Sequence, residues 1–390
     1  MKEQRWETND APQVVVTTCS GKLVVGSWRE TAVSAQSDAL TIEQTAPNTV
    51  QMTAVGDLYL AVPQNASLTL GILGGSLTIK HISGGITVDD VAGRVTLRNV
   101  DAITISHAAQ AVQGDNINGL LVVEEAGGAV DLRSVYGVQI NRALADVTLQ
   151  FVTGHVTLGQ VAGKLDVRTV NGDVAVEQVL GDVILANLGG QVQLPAAAQS
   201  VWLAGGLASG AHRLAAANVY VYWPPDAPLN LTARGVLVAH DLPLENETTT
   251  LENGQTVLTG HIEDGKVDLF VQAAQRAAFK ALTNDPPQFT ESDFQFAPPS
   301  TGEDQADLVT AVRAVFAELA AELPPTTLAQ LAAVRLEERV ITAVTAAPST
   351  PPAEPQASPS TVTDEQRHIL QLLKDGLLSV AQAQLLLGAL

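Results

Sequence analysis

Between about Gly74 and Leu194, apolar and polar positions alternate within a nine-residue period marked by glycine. From residue 154 the chain reads GHVTLGQVA, GKLDVRTVN, GDVAVEQVL, GDVILANLG and GQVQLPAAA, with Gly154, Gly163, Gly172, Gly181 and Gly190 nine apart. Upstream, GSLTIKHIS, GGITVDDVA and GRVTLRNVD open at Gly75, Gly84 and Gly93, and the register continues more loosely through Gly119, Gly128 and Gly137. In each unit the third and fifth residues are apolar and the fourth is usually polar, as in Val156-Thr157-Leu158. That is the period-two signature of a short strand with one buried face. A further apolar residue three positions on, such as Val161, Val170 or Val179, turns inward past a corner. The pattern predicts a mainly β fold, a parallel β-solenoid (β-helix) of nine-residue strand-turn repeats. One unit is too short to close around its own core, so two units, about 18 residues, are expected per coil. Glycine at the corner implies either positive φ or close backbone approach.

The flanks follow other patterns. Residues 1–72 hold strand-like segments at irregular spacing (QVVVTT, GKLVVGSW, ALTIEQ, TVQMTAV, GDLYLAV) and are expected to cap the first coil. The solenoid is expected over 73–272, followed by an acidic connecting segment at 273–303. From Asp304 the period becomes helical, with Leu308, Val309, Val312, Val315, Phe316 and Leu319 on one face, and a helical pair is expected over 304–346. Residues 347–362 are Pro-rich and read as an extended linker. Residues 363–390 read as a helical hairpin: Thr363 with Gln366 and Ser379 with Gln382 form capping boxes, and Gly376 separates the helices.

Composition narrows the function classes. Aromatics make up 4% of the chain against 46% hydrophobic residues, so the core must come from Val, Leu, Ile and Ala. The formal net charge is −20, and residues 241–310 carry thirteen Asp/Glu against three Lys/Arg. No basic stripe is present, which argues against nucleic acid and against an anionic membrane surface as partners. The single cysteine, Cys19, excludes an internal disulfide and a cysteine-ligated metal cluster, and it reads as a small core or edge residue. Neither a signal-peptide run nor an apolar stretch of membrane-spanning length is seen, so a cytoplasmic location is expected.

The run Val62-Pro63-Gln64-Asn65-Ala66-Ser67 leads into tandem G-x-V-x-V-x-x-V units after an N-terminal GKLVVGSW segment. Over residues 13–270 this resembles a bacterial adhesin-like β-solenoid family of unknown function. The tail, ILQLLKDGLLSVAQAQLLL, looks like the short helical-hairpin module of bacterial envelope-stress proteins that carry such solenoids. The resemblance implies a prokaryotic binding or scaffolding protein, linked to adhesion or envelope stress, with no enzymatic activity to carry over. The acidic and helical insert at 273–346 departs from that pattern.

Candidate chemistry is sparse. Asp89-Asp90, Glu124-Glu125, Asp173 and Asp182 are the carboxylates to weigh for polysaccharide cleavage, and all read more simply as solvated turn acids. The histidines at 81, 107, 155, 212, 240, 261 and 368 show no metal-ligand spacing, and His240-Asp241 lacks an accompanying nucleophile motif. No catalytic residue, metal site or cofactor is therefore assigned. Thr78, Thr87, Thr96 and Thr157 share a repeat position, but Asp166, Ala175, Ile184 and Gln193 break the row expected of an ice-binding face. Tyr220, Tyr222 and Trp223, near Trp202, are the one aromatic group placed to stack on a ligand, or else to be covered by a cap. Ile369, Leu370, Leu373, Val380, Leu385 and Leu386 give the tail hairpin more apolar surface than two short helices can bury, so they are the expected partner-binding residues. The leading expectation is a non-enzymatic scaffold that associates with a protein partner or itself through that hairpin. The alternative is a carbohydrate-binding or polysaccharide-degrading β-helix, marked by a cleft where acids or aromatics converge from successive coils.

Overall fold

The computed structural model describes residues 2–294 except 47, 264, 284–286 and 288. The expected helices at 304–346 and 363–390, the linker at 347–362 and the six expected partner-binding residues lie outside the described residues. Those described belong to one unit, Met1–Phe296. It opens with β1 (Lys2–Glu7), β2 (Gln13–Cys19), β3 (Leu23–Trp28), β4 (Ala32–Ala46) and β5 (Thr49–Pro63). The repeat region supplies β6 (Ser67–Leu73), β7 (Leu77–Ile82), β8 (Ile86–Val91), β9 (Val95–Val100), β10 (Ile103–Ala108), β11 (Val112–Ala126) and β12 (Val130–Ala143). It continues through β13 (Val147–Val152), β14 (Val156–Val161), β15 (Leu165–Val170), β16 (Val174–Val179), β17 (Val183–Leu188), β18 (Val192–Leu194), β19 (Ser200–Ala204) and β20 (Gly210–Trp223). Last come β21 (Leu229–Gly235), β22 (Leu237–His240), β23 (Glu245–Glu252), β24 (Gln255–Ile262), β25 (Val267–Ala281) and a 3-10 helix at Glu291–Phe294.

Each repeat strand pairs in parallel with the strands one coil away, so two ladders rise side by side. The first runs β6–β8–β10, through the second halves of β11 and β12, to β14–β16–β18. The second runs β7–β9, through the first halves of β11 and β12, to β13–β15–β17–β19. Val156 pairs with Val174 and Val174 with Val192, each step spanning two glycine periods, which is the two-unit coil that the glycine spacing predicts. In the looser stretch some coils are one residue shorter, as in Ile86 to Ile103, Val95 to Val112 and Val130 to Val147. The first, third and sixth positions of the six-residue strands β7–β10 and β13–β17 are buried, so Val156, Leu158 and Val161 stack on Val174, Val176 and Val179 in continuous internal rows.

The two explanations for corner glycine separate cleanly. A Cβ on Gly172 would lie 2.6 Å from the Gly154 carbonyl carbon, and one on Gly181 would lie 2.5 Å from the Gly163 carbonyl oxygen. Close approach of one coil's backbone to the next therefore excludes a side chain there, while φ stays out of the left-handed region. Positive φ falls instead on the fifth residue of the second-ladder strands: His81, Asn99, Asn116, Ser134, Phe151, Thr169 and Asn187. Asparagine tolerates this conformation, and its amides bridge coils, with Asn99 Nδ2 3.1 Å from His81 Nδ1 and Asn116 Nδ2 donating to Asn99 Oδ1 at 2.5 Å. Phe151 and Thr169 gain no such relief; for a bulky or branched residue the left-handed turn costs about 1–2 kcal/mol.

Both ends of the stack hide their terminal strands. β2 and β3 do not form the outermost coil: β5 pairs with them on one side and β6 and β7 on the other, so that Leu23 lies between Leu58 and Leu77. β4 then closes the β5 edge in antiparallel fashion, and β1 covers part of β4. The expected N-terminal cap is thus β1, β4 and β5, while 13–28 belongs to the stack. At the other end β25 slots between β20 and the outer coil of β21 and β22, whose edge is closed by antiparallel β24 and β23. The solenoid boundary expected at 272 therefore falls inside β25, and 273–281 is a core strand, not an acidic connector: Ala273, Ala277 and Phe279 are fully buried. The outermost strand, β23, exposes every residue and carries Glu245, Glu247 and Glu252, charges that discourage further strand pairing.

His212, fully buried in β20, accepts the Val192 N–H at Nδ1 (3.1 Å) and donates from Nε2 to the Ala208 carbonyl (2.8 Å), so it is held neutral. Burial lowers its pKa below the ordinary histidine value, against weaker opposing pulls from the Ala208 carbonyl, Asp268 and Asp173. The folded state thus binds fewer protons than the unfolded state just below the unfolded pKa. Its stability contribution is complete above about pH 6.5 and declines by up to about 1.4 kcal/mol per pH unit as pH falls towards the lowered value. Thermal melts between pH 7.5 and 5.5 should show this loss in the wild type and a flatter profile in His212→Gln, which keeps one acceptor and one donor without titrating.

Candidate functional site

Of the carboxylates weighed for catalysis, all but Asp89 are occupied in holding coils together. Asp173 Oδ1 accepts the Gln191 N–H at 2.8 Å and Asp182 Oδ1 accepts the Ser200 N–H at 3.1 Å, each reaching one coil ahead. Asp146 does the same for Lys164 at 2.8 Å. Asp89-Asp90 and Glu124-Glu125 sit at matching corners of the first ladder. There Asp90, His107, Glu125 and Arg142 form a charged row, with His107 Nδ1 2.9 Å from Asp90, His107 Nε2 3.8 Å from Glu125, and Arg142 3.4 Å from Glu125. Asn141 Nδ2 donates to Glu124. His240 faces Glu247 at 3.2 Å while Asp241 accepts the Ala281 N–H at 2.6 Å, so these neighbours serve separate partners. Cys19 is buried with its Sγ 3.4 Å from the Gly56 carbonyl, and burial pushes its thiol pKa up. Among the described residues, no group of three or more His, Cys, Asp or Glu side chains is placed to hold a metal ion, and no helix is long and apolar enough to cross a membrane.

The aromatic group near the stack's end divides between two faces. Trp223 points inward and donates from Nε1 to the Ala227 carbonyl at 3.0 Å. Tyr220 and Tyr222 point outward, with Trp202 stacked on Tyr220 at 4.2 Å between centroids and 17° between planes. Their outer face is taken by the chain itself: Phe294 lies 5.2 Å from Tyr220 and 4.6 Å from Tyr222, and Phe289 meets Tyr222 edge-on at 5.9 Å. Asp293 accepts the Tyr222 hydroxyl at 2.8 Å, and Arg276 and Lys280 bind the carbonyls of Phe294 and Asp293 at 2.5 and 2.7 Å. Burial, reinforced by Glu291, pushes the Tyr220 pKa up to about 12; burial and Asp293 raise that of Tyr222 as well. Tyr220 and Tyr222 are thus covered by residues 289–294, and no open stacking platform remains there.

An open site lies on the second ladder, in the shortened coils. Gly114 stands where the strands on either side carry inward Leu97 and Leu132. A Cβ on it would come within 2.8 Å of both Ile117 Cδ1 and Leu132 Cδ2, so the core closes directly on the backbone. Over that point the outer surface is hollowed by about 440 Å³, lined by Arg98, Gln113, Asp115, Asp131, Arg133 and Gln150. Arg98, Asp115, Arg133 and Gln150 form one row across successive coils. Arg133 donates to Gln150 at 3.1 Å, whereas among the described residues Arg98, Asp115 and Asp131 make no side-chain hydrogen bond or ion pair. A second hollow of about 340 Å³ adjoins it on the same strands, lined by Asn116, Asn118, Ser134, Tyr136, Phe151 and Thr153. Tyr136 and Phe151 stay 58% and 53% exposed. Sequence reasoning missed this site. Its available signals were the glycine at 114 in an apolar slot and the local slip in the nine-residue period.

No protein-family profile matches the chain, and no curated protein matches it. Among solved structures, the chain is similar to the crystal structure of a "putative cell adhesion protein" from Clostridium sporogenes, at 10% identity over 72% of this chain and 99% of that one, with a TM-score of 0.15. A likeness at that score carries no argument about fold or role.

Proposed function

We propose that the chain is a non-enzymatic interaction scaffold, in which a stiff β-stack displays binding surface and the tail at 363–390 mediates association with itself or with a protein partner. The observation that supports this reading is the use of the acids: Asp146, Asp173 and Asp182 serve as coil-to-coil acceptors of backbone N–H groups, a structural role that leaves them poor acid-base pairs. The tail reading rests on its sequence, where the spacing of Ile369, Leu370, Leu373, Val380, Leu385 and Leu386 predicts an apolar stripe on two helices that would be too short to be stable unpartnered. Sedimentation of the full chain beside a version ending at Pro359 tests it. An oligomeric full chain and a monomeric shortened one are expected for self-association. Two identical oligomers would contradict the role of the tail; two monomers would contradict self-association and leave a foreign protein partner.

A further inference from the structure

We propose that the hollow crossing β9, β11, β12 and β13 is a binding site for an extended, neutral saccharide. The inference rests on the reading of the chain as a binder that leaves its ligand intact.

The chemistry of the lining selects the ligand class by elimination. A phosphate or other anion would meet Asp115 and Asp131, and a cation would meet Arg98 and Arg133, so the balanced charges favour a ligand with no net charge. Arginine offers paired donors, aspartate paired acceptors, and Gln113 and Gln150 one of each. Vicinal hydroxyls, each able to donate and to accept, are what such a set can satisfy. A peptide added as an extra strand would need a free sheet edge, and this hollow lies on a sheet face whose backbone groups are already paired on both sides.

The adjoining hollow supplies the apolar half of the site. Tyr136 and Phe151 come from neighbouring coils and project to solvent beside Asn116 and Asn118. Aromatic faces of this kind take up the C–H surface of a pyranose, while the rest of the ring keeps its polar contacts. Phe151 adds an independent observation. It occupies a left-handed corner where Asn99, Asn116 and Asn187 stand in three other coils and His81, Ser134 and Thr169 in three more, so the bulkiest side chain of the set is held in a conformation that asparagine adopts more readily. The cost of that left-handed corner is thus carried by a ring that stays 53% exposed beside an open hollow.

The test is to pass the full-length protein over an array of immobilised neutral glycans. Any glycan retained is then titrated by calorimetry against wild type, Tyr136→Ala and Phe151→Asn. At least one extended neutral glycan should bind, each substitution should weaken it by at least about tenfold, and Phe151→Asn should melt no lower than wild type. That last result separates lost contact from lost fold. Retention of no neutral glycan, or binding that both variants leave unchanged, overturns the site. Recovery of cleaved glycan would overturn the non-enzymatic reading while leaving the site in place, and the sedimentation result bears on neither outcome.

Discussion

Val174→Asp is expected to remove about 3–5 kcal/mol from the stability of the stack and to lower its melting transition sharply. Val174 is 1% exposed and lies in register between Val156 and Val192, so an aspartate there faces other valines above and below. Those neighbouring side chains offer the carboxylate neither a positive charge nor a hydrogen-bond donor. An unpaired buried carboxylate costs several kcal/mol, about 3–5 where no partner compensates it, against a typical total stability of about 5–15 kcal/mol. Because each coil contacts only its neighbours, the lesion also breaks the continuity of the stack. Far-UV circular dichroism during a thermal ramp reads this directly. A soluble variant with a single sharp transition near that of the wild type would mean that position 174 does not face inward.

Adjacent glycines at 84 and 85 should respond in opposite ways to alanine. A Cβ on Gly84 would sit 2.5 Å from the Ala66 carbonyl carbon, a backbone atom that cannot turn aside, whereas a Cβ on Gly85 meets nothing within 4 Å. Gly84→Ala must push two coils apart and should cost about 3 kcal/mol, at the upper end of overpacking penalties. Gly85→Ala should be neutral or stabilising by about 0.5 kcal/mol, through lower entropy of the unfolded chain. Denaturant unfolding of both variants checks the pair. Equal losses would show that the corner glycines serve conformational freedom and not close approach.

The repeat could be read from sequence because Gly154, Gly163, Gly172 and their equivalents mark a contact that recurs in every coil. Strand, corner and two-unit coil all follow from that one spacing. The ends could not be read, because β2 and β3 insert between β5 and β6–β7, and β25 between β20 and β21–β22, through pairings between segments distant in the chain that no local pattern encodes. The aromatic cluster was half legible. The alternation in Asn218–Trp223 sets Tyr220 and Tyr222 on one face and Trp223 on the other, but nothing nearby announces that Phe289 and Phe294 fold back over them. The groove was hidden for a related reason. Arg98, Asp115, Arg133 and Gln150 each lie one coil beyond the last and form a row only once the coil length is known.

Native-state hydrogen exchange on the full-length protein tests most directly whether the β-region is one uninterrupted stack with its terminal strands locked inside. Amides of β2, β3 and β25 are hydrogen-bonded on both sides and should be protected to the same degree as those of β14 to β17, opening only with global unfolding. β1 and β23, paired along one edge, should exchange faster. Rapid exchange in β2, β3 or β25 beside a protected centre would contradict the locked arrangement, since it would mean that the terminal strands fray from the outside of the stack.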